Sequence, residues 1–325
     1  MTRNKTVSFL LACATLATTI AWSGCKPASP PPAAVSFTQP SLYPEGLEYD
    51  GRNRRFLVTS LREGTVGQVK DNGSYAGFFE APQMKSAIGI RLDPPRDRVL
   101  ICNSDPGPSK HTTKETQGKL AGLAIASLRT GKLTRYIDLG ALKPGIPHFC
   151  NDIALAADGT AFITDSFSPI IYKVTTDNKA SVFLMDDRFV GKGFNLNGIL
   201  DLGDFLLVAK YNEGLLFKIP KNDPKKFTQV KLAEKFPGAD GLLKGPNGSV
   251  ILAANASTNK IIQLKSSDNW ASAKVVAKKD SGVVFATTGV MREGKTYILH
   301  AMLHVLFGGN KNPVSKFTIQ GYDFN

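Results

Sequence analysis

The sequence predicts an all-β fold, a six-bladed β-propeller with four-stranded blades, and three observations predict it. A strand–turn–strand segment recurs six times. Its first residues, Glu45, Ile88, Asn151, Asn197, Asp240 and Thr288, are spaced by 43, 63, 46, 43 and 48 residues, a period typical of propeller blades. Between these segments Gly, Pro, Asn and Asp separate short runs of β-branched and aromatic residues, and no amphipathic helix of twelve residues competes.

The segments appear in order. The first is PEGLEYDGRNRRFLVTS from Pro44, and the second is IGIRLDPPRDRVLICNSD from Ile88. The polar connection Asn103–Leu120 follows, expected either to fold over one mouth of the channel as a lid or to lie as a surface loop. NDIALAADGTAFITDS from Asn151 opens a third unit with strands at 151–155, 160–164, 169–174 and 179–184. NGILDLGDFLLVAK from Asn197 opens the fourth. The fifth starts with DGLLKGPNGSVILAAN from Asp240, with strands at 241–243, 249–253, 260–264 and 273–277. TGVMREGKTYILHAM from Thr288 opens the last. Lys316–Phe324 reads as a strand, with Ala34–Phe37 beside it to close the ring.

Residues 1–24 read as an export signal. Arg3 and Lys5 precede an uncharged run, Val7–Trp22, too short for a comfortable bilayer span. Ser23-Gly24-Cys25 resembles a lipobox, which would lipidate Cys25 and anchor the protein at a bacterial periplasmic or surface membrane. Trp22 is unusual there, so simple secretion stays open. Residues 25–38, with PASPPPAA, read as an extended tether, and residues 39–325 as the propeller. The mature cysteines Cys102 and Cys150 are too few for a disulfide scaffold, and their pairing is not fixed by sequence. The net charge of +13 comes from scattered lysines without an aromatic-interleaved basic stripe, so no nucleic-acid partner is expected. A monomer acting on a small molecule is expected, with membrane contact only through the lipid.

In a propeller the inner strands run the same way, so their first residues meet at one end of the channel. Glu45, Asn151, Asn197 and Asp240 then converge as two carboxylates and two amides. An all-oxygen set suits one Ca²⁺ and not zinc or copper, since no Cys or His is among them. Four protein ligands leave positions for water or substrate. His148, just before the third inner strand, is a candidate pocket histidine; His300 and His304 read as core or rim residues. Phe149, Phe194 and Phe285 would build an apolar wall, with Thr288 beside the pocket.

The ordered set Pro44-Glu45-Gly46, Cys150-Asn151-Asp152, Asn197-Gly198 and Asp240-Gly241 resembles the senescence-marker/gluconolactonase (regucalcin-like) propellers and the related diisopropyl fluorophosphatase. The resemblance spans Gln39–Asn325. It implies a channel Ca²⁺ held by Glu45, Asn197 and Asp240, with Asn151 a ligand as in the phosphotriesterase branch or a substrate contact as in the sugar lactonases, and with Asp240 as nucleophile or general base in hydrolysis of lactones or phosphotriesters. Sugar lactonases of this type carry an arginine where this chain has Phe149, which points to a substrate more apolar than a sugar lactone. Where the phosphotriesterase branch has a histidine, this chain has Thr288. Two functions follow as expectations: a Ca²⁺-dependent hydrolase of lactones or activated esters, with Asp240 and His148 as catalytic candidates, or a non-catalytic calcium-stabilised propeller that binds a ligand or protein.

Overall fold

The computed structural model describes residues 1–2, 30–309 and 313–324. Residues 3–29, and with them most of the expected signal, the lipobox cysteine Cys25 and the start of the tether, lie outside the described residues. No helix among the described residues is long and apolar enough to cross a membrane. The unit Pro31–Asn325 holds the fold.

The chain enters on β1 (Ala34–Thr38). Next come β2 (Leu47–Asp50), β3 (Arg55–Thr59), β4 (Val66–Lys70) and β5 (Tyr75–Phe79), then β6 (Ser86–Asp93), β7 (Arg98–Ser104), β8 (Lys119–Ser127) and β9 (Leu133–Asp138). The third group is β10 (His148–Leu155), β11 (Ala161–Asp165), β12 (Ile170–Val174) and β13 (Ala180–Met185). The fourth is β14 (Leu196–Asp201), β15 (Phe205–Lys210), β16 (Leu215–Pro220) and β17 (Thr228–Gln229). The fifth is β18 (Ala239–Lys244), β19 (Val250–Ala254), β20 (Lys260–Lys265) and β21 (Lys274–Asp280). Finally come β22 (Ala286–Arg292), β23 (Lys295–His300), the five-residue helix α1 (Leu303–Phe307) and β24 (Lys316–Tyr322).

These strands form an all-β propeller. Within each group consecutive strands pair antiparallel, as short turns dictate. At one such turn Asp158 accepts the Thr160 N–H at 2.8 Å and Gly159 takes φ +88°. Hydrogen bonding yields four four-stranded sheets and one eight-stranded sheet, not six separate ones. The larger sheet arises because His148 and Phe149 of β10 pair in parallel with Lys119 and Leu120 of β8. A disulfide between Cys102 on β7 and Cys150 on β10 ties the same two groups together. β1 pairs antiparallel with β24 from Ala34↔Gln320 to Thr38↔Lys316, so the last sheet holds both ends of the described fold. Ala34–Phe37 thus lies beside the last strand as the sequence suggested, and the strand begins within the residues 25–38 read as the tether.

The apolar cores lie between sheets. One cluster packs Phe56, Tyr297, Phe317 and Tyr172, among others, and a second packs Leu207, Leu242 and Leu252. Arg292 is buried among them because Asp71 receives its guanidinium at 2.5 and 2.8 Å and its face stacks on Tyr49.

Candidate functional site

Of the strands β2, β6, β10, β14, β18 and β22, all but β2 carry an extra residue near their start. The register slips between Ala87 and Ile90, Cys150 and Ile153, Leu196 and Ile199, Ala239 and Leu242, and Ala286 and Gly289. Such bulges re-aim side chains, and here each bulge contains one of the residues singled out above. Small residues let the strands approach closely. A Cβ on Gly89 would lie 2.3 Å from the Asn151 carbonyl oxygen, and one on Gly198 would lie 2.2 Å from that of Asp240. Where Asp152 replaces glycine, its carboxylate accepts the Ile199 N–H across the gap at 3.2 Å. Hydroxyls lock the next layer: Thr164 Oγ1 donates to the Asn197 carbonyl at 2.7 Å, and Thr287 Oγ1 to that of Glu45 at 2.7 Å.

Glu45, Asn151, Asn197 and Asp240 line one cavity of about 380 Å³. All four are buried. Phe149, Phe194, Tyr211, Phe285, Leu303 and Phe307 form much of the remaining wall. Phe149, Phe167 and Phe194 pack ring against ring with centroids 5.1–5.3 Å apart. The same four polar residues also border a smaller space of about 230 Å³ further along the inner strands, with Arg91, Asp152 and Thr288. Thr288, expected beside the pocket, thus borders this smaller polar space and does not line the larger cavity.

The donor atoms fit a hard cation. Glu45 Oε2, Asn151 Oδ1 and Thr288 Oγ1 are buried without a hydrogen-bond partner, a costly state that an ion relieves. Asn151 keeps its oxygen free because its amide donates to Ser166 Oγ at 2.7 Å. Burial pushes the Glu45 carboxyl well above the usual carboxylate range; repulsion from Asp240 and Asp152 adds to this and Arg91 opposes it. Burial likewise raises Asp240, against hydrogen bonding from Asn255 and Asn197. Among the described residues, no three His, Cys, Asp or Glu side chains form a metal-binding group; the set here is half carboxylate and half amide, as a calcium site allows.

Asp240 is held from behind. Asn255 Nδ2 donates to its Oδ2 at 2.5 Å, and Tyr211 OH donates to Asn255 Oδ1 at 2.7 Å. The sequence reading named neither Asn255 nor Tyr211, although a polar residue closing the run Val-Ile-Leu-Ala-Ala was a visible signal.

His148 belongs elsewhere. It does not line the central cavity, and both ring nitrogens are engaged: Nδ1 with Asp165 Oδ2 at 2.7 Å and Nε2 with the Lys143 carbonyl at 2.8 Å. Tyr172 OH donates to the same Asp165 oxygen at 3.0 Å. Burial pulls the imidazole pKa down, but the bond to Asp165 and its charge outweigh this and raise it. These contacts explain the residue as a structural anchor of β10 and correct the catalytic expectation for it. His304 stacks against Phe285, and burial lowers the pKa of His300 to about 4. The connection 103–120 contributes no residue to the cavity wall. It folds around buried Asp105, which accepts hydroxyls of Thr112 at 2.6 Å and Thr116 at 2.7 Å, and Lys110 pairs with Glu63.

The class this geometry defines is a β-propeller with a polar ring at one channel mouth beneath an aromatic pocket. No family model matches the chain, and no curated protein matches it by sequence. Solved structures do. The major allergen Mala s 1 of Malassezia sympodialis is 16% identical with a TM-score of 0.70, over 90% of this chain and 96% of that one. The calcium-binding protein regucalcin from Agrobacterium tumefaciens is 15% identical with a TM-score of 0.61, over 88% and 93%. A gluconolactonase from Xanthomonas campestris is 12% identical with a TM-score of 0.61, over 89% of each chain. At these identities the likeness establishes the fold, and a luciferin-regenerating enzyme shares it.

Proposed function

We propose that this chain is a six-bladed, calcium-dependent hydrolase of apolar lactones or activated esters, phosphotriesters included. The blade count takes the eight-stranded sheet as two blades joined through β8 and β10. The observation that carries the functional reading is the convergence of Glu45, Asn151, Asn197 and Asp240 on one cavity, with Glu45 Oε2 and Asn151 Oδ1 unpartnered.

Glu45, Asn151, Asn197 and Asp240 would hold the ion. Bound Ca²⁺ would supply Lewis-acid polarisation of a carbonyl or phosphoryl oxygen. Asp240, oriented by Asn255, serves as nucleophile or as the base that takes a proton from water. Phe149 and Phe194, backed by Phe167, pack the apolar part of the substrate and exclude water. An aromatic wall in place of cationic or hydroxyl-binding side chains favours apolar substrates over polyols. The regucalcin and gluconolactonase folds lend the reading support by analogy.

Export, with or without lipid on Cys25, agrees with the Cys102–Cys150 disulfide, since such bonds persist in oxidising compartments. Mass spectrometry of the mature N-terminus separates lipidation from plain secretion.

The test of the activity is elemental analysis of purified protein, then a screen of lactones, aryl esters and phosphotriesters with and without Ca²⁺. One equivalent of calcium and chelator-sensitive turnover of an apolar substrate are expected. Absence of bound metal together with no turnover in any class refutes the hydrolase.

A further inference from the structure

The second inner strand, β6, gives the channel mouth no oxygen ligand, since Ile88 stands where the other five strands place Glu, Asn, Asp or Thr. It gives a cation instead. Three residues on, Arg91 projects into the smaller space that Glu45, Asn151, Asn197 and Asp240 also border. The guanidinium spans two neighbouring strands: Nη1 donates to Glu48 Oε1 of β2 at 3.0 Å, and Nη2 lies 3.5 Å from Asp152 Oδ1 of β10. The three side chains are only 10–15% exposed. Three carboxylates, Glu45, Asp152 and Asp240, therefore border this space, with Arg91 as the one cation in its lining and Glu48 paired to that arginine beside it. A cluster of this kind needs cationic charge to fold, and Arg91 is the cation the chain carries itself.

We infer that Arg91 is the resident counter-ion of the channel: it neutralises Glu48 and Asp152 and so keeps a second divalent cation out of the space beyond the four ligands. The inference builds on the proposed metal centre. It gives that centre a stoichiometry of one and predicts a propeller that stays folded when the ion is removed.

The experiment compares wild type, Arg91→Met, Arg91→Lys and the double variant Glu48→Gln/Arg91→Met. Thermal unfolding is followed in EDTA and in CaCl₂, and CaCl₂ is titrated calorimetrically. In EDTA, Arg91→Met should melt lower than wild type by on the order of 5 °C or more. Added calcium should recover more of the loss in Arg91→Met than it gains in wild type, and one additional equivalent should titrate in. Arg91→Lys should bind the wild-type number of ions. Glu48→Gln/Arg91→Met, lacking both charges, should melt closer to wild type than Arg91→Met and take up no extra ion.

Equal calcium stoichiometry in wild type and Arg91→Met overturns the inference. So does a double variant as unstable as Arg91→Met, because the loss is then one of packing and not of charge; this outcome decides the matter even where Arg91→Met alone does not fold. A wild type that binds no calcium brings down the proposed metal centre, whereas the inference about Arg91 is still judged on the difference between the variants.

Discussion

Replacing Asp240 with Asn should make the metal-free protein more stable and the calcium-loaded protein less so. Asn keeps the volume and can turn its oxygen toward Asn255 Nδ2, so the bond from Asn255 survives in weaker form. The substitution removes one of two buried carboxylates that repel each other. Oxygens reaching one ion at about 2.3–2.6 Å lie at most about 5 Å apart, and at an effective dielectric of about 20 two charges at that distance repel by about 3 kcal/mol. Weakening the charge-assisted bond from Asn255 costs about 1–1.5 kcal/mol. The balance is a gain of about 1–2 kcal/mol, or about 2–6 °C in melting temperature for a domain of this size. The pH dependence has a definite sign. Both acids have folded-state pKa values raised above their unfolded values, so the folded state binds more protons and wild-type stability in chelator falls as pH rises above the unfolded range near 4. The gap between variant and wild type should therefore be wide at pH 8 and narrow at pH 5. Differential scanning calorimetry in EDTA and in saturating CaCl₂ reads both arms, and the order of melting temperatures should reverse between them. An Asp240→Asn protein that melts below wild type in EDTA at pH 8 refutes the reasoning, because Asp240 would then be a stabilising partner and not an unneutralised charge.

Other outcomes follow from the same geometry. On any substrate found, Asp240→Asn should lose on the order of 10²-fold or more in kcat, as removal of a nucleophile or base does; parent-rate turnover would leave Asp240 as a ligand only. His148→Gln should lower stability by about 2–4 kcal/mol through its buried bonds yet leave calcium affinity unchanged by calorimetry. Because the His148 pKa is raised, its contribution is full below the unfolded value near 6.5 and lost as pH climbs through the folded one, so the penalty should shrink in alkaline buffer. Reduction of Cys102–Cys150, which are 48 residues apart, should cost up to about 4 kcal/mol by loop entropy, read from denaturant unfolding with and without reductant. Phe194→Ala should raise KM for an apolar substrate by about tenfold with little change in kcat, from losing roughly half the burial energy of a phenyl ring.

The polar residues at the channel mouth were legible because each opens an apolar strand and most precede a glycine, a pattern that survives in any alignment of the segments on one another. Arg91 was not. In a regular strand, residues three apart face opposite ways, so a reader places Arg91 away from the face of Ile88; the bulge between Ala87 and Ile90 inserts a residue and resets the alternation. His148 misled for the opposite reason. It is near Asn151 along the chain, but Asp165 and Tyr172 from the next two strands satisfy its ring on the far side. The pairing of Lys119 and Leu120 with His148 and Phe149 joins two segments side by side in parallel, and no local turn chemistry announces such a contact. The helix Leu303–Phe307 is too short to show a period, although it supplies Leu303 and Phe307 to the cavity wall.

The pairing of β1 with β24 also sets a timetable. Ala34–Thr38 and its partner Lys316–Tyr322 lie at opposite ends of the described strands, so until Lys316 has been synthesised Ala34–Thr38 is an edge without its neighbour. A polypeptide halted before Lys316 cannot close the circle: it leaves β23 and β1 both open, two unpaired edges that invite pairing with other chains. Nascent or truncated forms should therefore be the ones that aggregate or require a chaperone, and the finished protein, with its seam sealed, should not.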